Sequence, residues 1–294
     1  MPTLYNPARA GETDFLRIRG AGRLQWIGVD NAPKTFAGAA DIPLSIFDRR
    51  FGAGITFSQE SIGLFNTLLA SAQFSHRLKL RRGFLSIGLQ AGYYNSRFRG
   101  SEVYIPGTDD GSQQPDDPAI PKQDLTGSAL DLSVGAAYIL PSFYTGISLA
   151  HLTSPKATMT VEGSESTESA EYVTELRSTL YFETGGNIAL KNTLFELQPS
   201  LLAMTDFDDF HAVVGLRAIY NRFLSAGLGY RWKDAVTVSV GATFKNFFIG
   251  YAFDYPTSSI SKASSGSHEI VAGYQLKLDL GGKNKHKHRS IRIM

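Results

Sequence analysis

Segment after segment of this chain, most about ten residues long, repeats one pattern: every second side chain is apolar, and turn residues close the run. Residues 15–26 show it clearly. Leu16, Ile18, Gly20, Gly22, Leu24 and Trp26 make one row, and Arg17, Arg19, Ala21, Arg23 and Gln25 the other. Residues 84–94 repeat it, with Leu85, Ile87, Leu89, Ala91 and Tyr93 against Ser86, Gly88, Gln90, Gly92 and Tyr94. Successive side chains of a strand point to opposite faces, so each segment offers one greasy face and one polar face. Helical periodicity is nearly absent. The segments lie near 14–26, 34–44, 51–58, 66–80, 83–96, 129–140, 143–151, 174–190, 195–205, 211–220, 223–232, 235–245, 246–256 and 267–279. That makes about fourteen, an even number within the range of outer-membrane barrels.

Two architectures can use such strands. In a soluble sandwich the apolar rows interlock in a core of large side chains. Here the apolar row is aliphatic, with Tyr, Trp and Phe near the strand ends, as the aromatic girdles of a membrane barrel require. The other row is Gly, Ser, Thr, Gln and isolated charges, which suits a wet or hydrogen-bonded lumen. Slipping the first strand by one residue would put Arg17, Arg19 and Arg23 into lipid, at roughly 2–4 kcal/mol each near the midplane. The expected fold is all-β: a transmembrane antiparallel up-and-down β-barrel of about 14 strands. The 294 residues suit one large barrel, and there is no run of 18 apolar residues to make a transmembrane helix.

The connections alternate. Short links carry Arg49, Arg50, Arg81, Arg82, Lys191, Arg222 and Lys245. Long ones at 97–128 and 152–173 carry Glu102, Asp109, Asp110, Asp116, Asp117 and Asp124, then Glu162, Glu165, Glu168 and Glu171. Short periplasmic turns opposite long extracellular loops is the usual asymmetry of such barrels. It predicts a periplasmic N-terminal segment over 1–12, the barrel over 13–280, a basic tail over 281–294, and both termini in the periplasm. Residues 1–7 hold neither a basic start nor an apolar stretch, so an export signal is expected upstream of this sequence.

Little in the chain points to reaction chemistry. The formal net charge of +2 argues against nucleic acid, and zero cysteine removes disulfides, thiolate metal sites and a cysteine nucleophile. The six histidines (76, 151, 211, 268, 286 and 288) show no H-E-x-x-H spacing, and there is no G-x-S-x-G. His268 and Glu269, as strand neighbours, point to opposite faces and cannot act together. Asp109-Asp110 with Asp116-Asp117, and Asp206-Phe207-Asp208-Asp209, lack the spacing of a calcium loop and read as solvated acidic loops. The expectation is a protein that is not an enzyme and needs no cofactor or metal. Arg17, Arg19, Arg23, Arg77, Arg177, Arg217, Arg231 and Lys277 fall on the lumenal row against Asp41, Asp131, Glu183, Asp254 and Glu269. They would line an anion-preferring channel or close the interior through ion pairs; Gly and Tyr among them favour the closed platform.

Four stretches carry a resemblance. Residues 5–11, Tyr-Asn-Pro-Ala-Arg-Ala-Gly, are similar to the N-P-A-x-A-G start of the PorP/SprF family of Bacteroidota outer-membrane proteins. Residues 23–35 resemble that family's R-x-Q-W-x-G-x-x-x-A-P-K-T signature, and Gly146 to Leu152 its G-x-S-x-x-H-L strand end. Asp254-Tyr255 followed by residues 265–270 resembles its last hairpin. Arg9 departs from the aromatic residue usual there, and a basic tail from Lys283 to Arg292 follows the last strand. The resemblance implies a component of the type IX secretion system or of the gliding machinery tied to it. Its partners would be outer-membrane lipids, periplasmic secretion components and a secreted substrate or surface adhesin.

The candidate partner-binding residues are Asn6, Pro7 and Gly11 at the N-terminus and Trp26, Asp30, Pro33 and Lys34 after the first strand. Each has a plainer reading. Asn6-Pro7 and Gly11 suit a turn plugging the barrel mouth. Trp26 suits an interfacial anchor and residues 30–33 a turn. A passive porin or hydrophobic-solute transporter is the alternative within the same architecture, and a soluble all-β adhesin the alternative outside it.

Overall fold

The computed structural model describes residues 1–47, 49–103, 121–161 and 172–278. The aspartates at 109, 110, 116 and 117, the glutamates at 162, 165, 168 and 171 and the tail over 281–294 lie outside the described residues.

The alternating segments become the wall of a barrel. Its strands are β1 Phe15–Leu24, β2 Lys34–Ile46, β3 Arg49–Ile62, β4 Phe65–Leu80, β5 Gly83–Phe98, β6 Leu125–Ile139 and β7 Phe143–Ala150. They continue as β8 Thr179–Gly186 with its short extension Ile188–Ala189, β9 Phe195–Thr205, β10 Phe210–Tyr220 and β11 Leu224–Arg231. The wall ends with β12 Ala235–Phe244, β13 Phe247–Pro256 and β14 Ser267–Lys277. Each strand pairs antiparallel with the next. The ring closes where β1 meets β14, from Phe15 opposite Lys277 to Leu24 opposite His268. Closure satisfies the backbone groups that an open sheet edge would leave bare in hydrocarbon.

The fourteen expected strands all form, with one boundary corrected. The segment expected over 174–190 starts at Thr179. Tyr172–Glu175 instead pairs with Lys156–Val161 in a hairpin that also touches the start of β6, a loop structure that alternation over so few residues does not announce.

The register turns the usual core inside out. Ile18, Ile55, Leu89, Leu130, Leu228 and Ile249 point outward and are exposed, while Arg17, Asp41, Gln73, Ser86, Asp131 and Glu183 point inward and are buried. At the end carrying the short hairpins (the turn end), Phe47, Phe143, Phe195, Phe223 and Phe244 are exposed on the outside. At the other, the loop end, Phe65, Phe210, Tyr230, Trp232 and Tyr255 do the same. These are the two aromatic girdles of a membrane barrel.

Candidate functional site

Residues 1–12 lie inside the barrel. Two 3-10 turns, Pro2–Leu4 and Pro7–Arg9, fold the segment. The Asn6 side chain caps the second, its Oδ1 accepting from the Ala8 N–H at 3.0 Å, and Pro7 takes the first helical position, where its missing N–H costs nothing. So compact a segment leaves many carbonyls without internal partners, and the barrel wall supplies them. Gln73 donates to the Thr3 carbonyl at 2.6 Å, Ser148 to Tyr5 at 2.6 Å, and Ser86 to Ala8 at 2.7 Å. Ser75 donates to Ala10 at 2.8 Å, Arg17 to Arg9 at 3.2 Å, and Arg77 to Glu12 at 2.8 Å. The wall thus holds the segment by its backbone. Two wall glycines permit the approach: a methyl on Gly52 would strike the Ala10 carbonyl oxygen, and one on Gly88 the Ala8 nitrogen.

Three guanidiniums and three carboxylates complete the seat. Arg9 is fully buried, pairs with Glu12 and with Glu183 (2.9 Å), and stacks over the Tyr144 ring at 4.3 Å. Arg17 reaches Asp41 and Glu12, each at 2.7 Å, and Arg19 reaches Asp41 at 2.7 Å. Asn6 Nδ2 donates to Glu183 at 3.0 Å, and the Gly11 N–H to Asp41 at 3.0 Å. Buried charge is tolerated only when it is paired and hydrogen-bonded, as it is here. Burial alone would raise the Glu12 carboxyl, but the Arg9 and Arg17 guanidiniums hold it down at about 2.

The second set of expected residues sits at the loop end, in the connection between β1 and β2. The Trp26 N–H donates to Ser267 Oγ at 3.1 Å, with Trp26 itself half-buried. Ile27 exchanges backbone bonds with the β13–β14 connection, its N–H to the Gly266 carbonyl (2.8 Å) and its carbonyl from the Ser265 N–H (2.9 Å). The Asn31 carbonyl accepts from the Gly63 N–H at 3.1 Å, tying in the β3–β4 turn. Below them Asp254 collects Arg23 (2.6 Å), Arg231 (3.2 Å) and the Thr237 hydroxyl (2.6 Å). Pro33 is buried in this cap, whereas Asp30 and Lys34 are exposed.

The structure therefore brings Asn6, Pro7 and Gly11 together in the lumen and keeps Trp26, Asp30, Pro33 and Lys34 together in the loop cap. In this arrangement Asn6 and Pro7 are buried, and Asn6 bonds to Glu183 of the wall. The lumenal charges fall largely as expected, with one correction: Arg177 is exposed at the loop end, bound to Asp206 (3.6 Å) and Asp208, because it precedes β8 instead of belonging to it. His268 turns outward to Tyr251 (2.6 Å) and Glu269 inward to Arg23 (3.1 Å). Sequence reasoning passed over Glu12, Gln73, Ser75, Ser86 and Ser148. For the four wall residues the available signal was their type, small or amide side chains on the inward row; for Glu12 there was none beyond its charge.

Among solved structures the chain resembles the P. putida toluene transporter TodX at 12% identity and a TM-score of 0.54, with 94% of each chain covered. It also resembles the CymD monoaromatic hydrocarbon channel at 11% identity and a TM-score of 0.54, covering 94% of this chain and 92% of that one. At such identities the likeness is one of fold. No curated protein matches the sequence. The family described as type IX secretion system membrane protein PorP/SprF matches residues 1–274, nearly the whole chain. This outer-membrane β-barrel belongs to the PorP/SprF family.

Proposed function

We propose that the protein is a non-enzymatic component of the type IX secretion system that supports export or surface attachment of secreted proteins by binding and positioning them. The observation that carries this reading, beside the family, is the seated N-terminal segment: six of its carbonyls are held by wall side chains and its charges are paired, so the barrel is built as a platform. On this reading the turn end faces periplasmic components and the loop end the exported protein. Asp30 and Lys34, exposed on a cap braced around Trp26 and Pro33, are the residues proposed to meet it. Asn6, Pro7 and Gly11 act by keeping the lumen occupied and would touch a periplasmic partner only if the segment withdrew.

The solute-transport alternative draws on the names of the two fold neighbours, a toluene transporter and a hydrocarbon channel. A lumen holding residues 1–12 by so many bonds speaks against it. Deleting the gene separates the two readings. The platform reading expects loss of a defined protein from the cell surface with solute uptake unchanged. Normal surface display with impaired uptake would overturn it.

A further inference from the structure

The turn end carries a device repeated from hairpin to hairpin. Phe47 precedes Arg49 at the β2–β3 turn, Leu80 precedes Arg81 and Arg82 at β4–β5, and Leu190 precedes Lys191 at β8–β9. Arg222 precedes Phe223 at β10–β11, and Phe244 precedes Lys245 at β12–β13. In each case the apolar residue and the cation are both exposed, Phe47 at 95%. Only the β6–β7 turn, Leu140-Pro141-Ser142, lacks the cation. Arg222 reaches Glu196 at 3.3 Å, but Arg49, Arg81, Arg82, Lys191 and Lys245 have no ion-pair partner among the described residues. Lys245 lies over the Phe244 ring at 5.4 Å, so its charge stands at the level of the girdle.

The loop end is the opposite. There Arg97 pairs with Asp124 (2.9 Å), Arg99 with Glu102 (2.8 Å) and Arg231 with Asp234 (3.0 Å). Among the described residues the loop end thus pairs its arginines within the chain and leaves only scattered lysines, Lys34, Lys233 and Lys262, exposed without an ion pair. At the turn end the unpaired cations recur from hairpin to hairpin. We propose that the turn end binds the anionic phospholipid headgroups of the leaflet it meets. A protein partner would be met by a patch on one side of the barrel. Here the cations recur around most of the circumference, each beside a side chain that belongs among acyl chains, and a leaflet is the partner with that shape. The inference stands apart from the secretion role and does not depend on which side of the membrane the turn end faces.

The full chain, reconstituted in vesicles of phosphatidylcholine or of an equal mixture with phosphatidylglycerol, tests it by the unfolding temperature in each. The expected result is a higher Tm in the mixture, a gain that high salt removes. A variant combining Arg81→Gln, Arg82→Gln, Lys191→Gln and Lys245→Gln should keep its Tm in phosphatidylcholine and lose most of the gain. Equal Tm in both vesicles, or a folded variant that keeps the gain, would overturn the proposal. So would polyglutamate raising the Tm in phosphatidylcholine as much as phosphatidylglycerol does, since that marks an acidic protein as the partner. If the variant does not fold, native mass spectrometry of the unaltered protein extracted from the mixture decides: preferential retention of phosphatidylglycerol supports the proposal and equal retention of both lipids sinks it.

Discussion

The two sides of the lumen obey the same alternation and differ only in what their inward rows have to meet. From β2 to β8 the inward residues include Asp41, Gly52, Gln73, Ser75, Ser86, Gly88, Ser148 and Glu183, packed or bonded against residues 1–12. From β9 to β13 they include Ser200, Gly215, Gly227, Ser239, Gly241 and Gly250, which are small, and Ser200 is exposed. The larger polar residues there, Gln198, Arg217, Arg231 and Asp254, bond to the wall itself. The outward rows of both sides are equally greasy, as Leu89 and Val240 illustrate. Membrane insertion therefore constrains one face all round, whereas polar groups packed against a second segment run only along the side that holds residues 1–12; elsewhere they bond strand to strand, as Asp254 does with Arg231 and Thr237. One side of the lumen is a protein interior built from polar groups; the other is a lining.

The difference is tested most severely at Glu183, which holds both Arg9 and Asn6. Glu183→Ala leaves a fully buried guanidinium with Glu12 as its remaining carboxylate, and breaking such a pair costs about 3–5 kcal/mol. Denaturant unfolding in lipid vesicles should show that loss, and protease should reach residues 1–12. Ser200→Ala, on the lining side, should stay within about 0.5 kcal/mol of the unaltered protein. Comparable losses for the two would erase the distinction. The chain has no cysteine, so the seat can also be probed by a disulfide. A Cβ placed on Gly54 stands 3.4 Å from that of Ala10, and Ala10→Cys with Gly54→Cys should oxidise readily and fix the segment in the lumen.

Acid should act on the same side. The folded Glu12 carboxyl titrates at about 2, below its ordinary 4.5, because of Arg9 and Arg17. A group lowered on folding contributes its stability fully above the unfolded value and loses it as the pH falls from about 4.5 through about 2. The contribution is on the order of 3 kcal/mol. Glu12→Gln should remove it, so the two proteins should differ in unfolding free energy at pH 6 by much more than at pH 2. A gap that does not close with acid would mean that Glu12 is not held by its two arginines.

How much of this was legible follows from how far apart the interacting residues are. Alternation is local, so the strands could be read one by one, and the arginines at 17, 19 and 23 set the register of β1 because the wrong face is lipid. The Asn6-Pro7 turn was legible for the same reason. Its seat was not: Ser75 lies 65 residues from Ala10 and Glu183 lies 177 from Asn6, and no local pattern pairs them. Arg177 was misassigned because the polar stretch before Thr179 continues the composition of the strand without its pairing. The Lys156–Val161 hairpin strand was missed because six residues, facing a partner across a long loop, carry too little period to stand out.

The gentlest probe compares two inward glycines, one against residues 1–12 and one on the lining. Gly52 sits on β3 between Pro43 and Ser75, and an added methyl would run into the Ala10 carbonyl and come within 2.6 Å of Ser75 Oγ, the atom that bonds that carbonyl. Backbone on one side and a committed hydroxyl on the other leave nothing soft to give way. Gly52→Ala should therefore cost about 1–3 kcal/mol, the ordinary penalty of overpacking. On β13, Gly250 has only the Val240 carbonyl nearby, at 3.7 Å, which is ordinary contact. Gly250→Ala also narrows the unfolded chain's freedom, so its expected effect is neutral to about 1 kcal/mol stabilising. The sign of the difference matters more than its size. If Gly52→Ala is as harmless as Gly250→Ala, residues 1–12 do not press against β3 in the membrane, and the lumen is a lining on both sides.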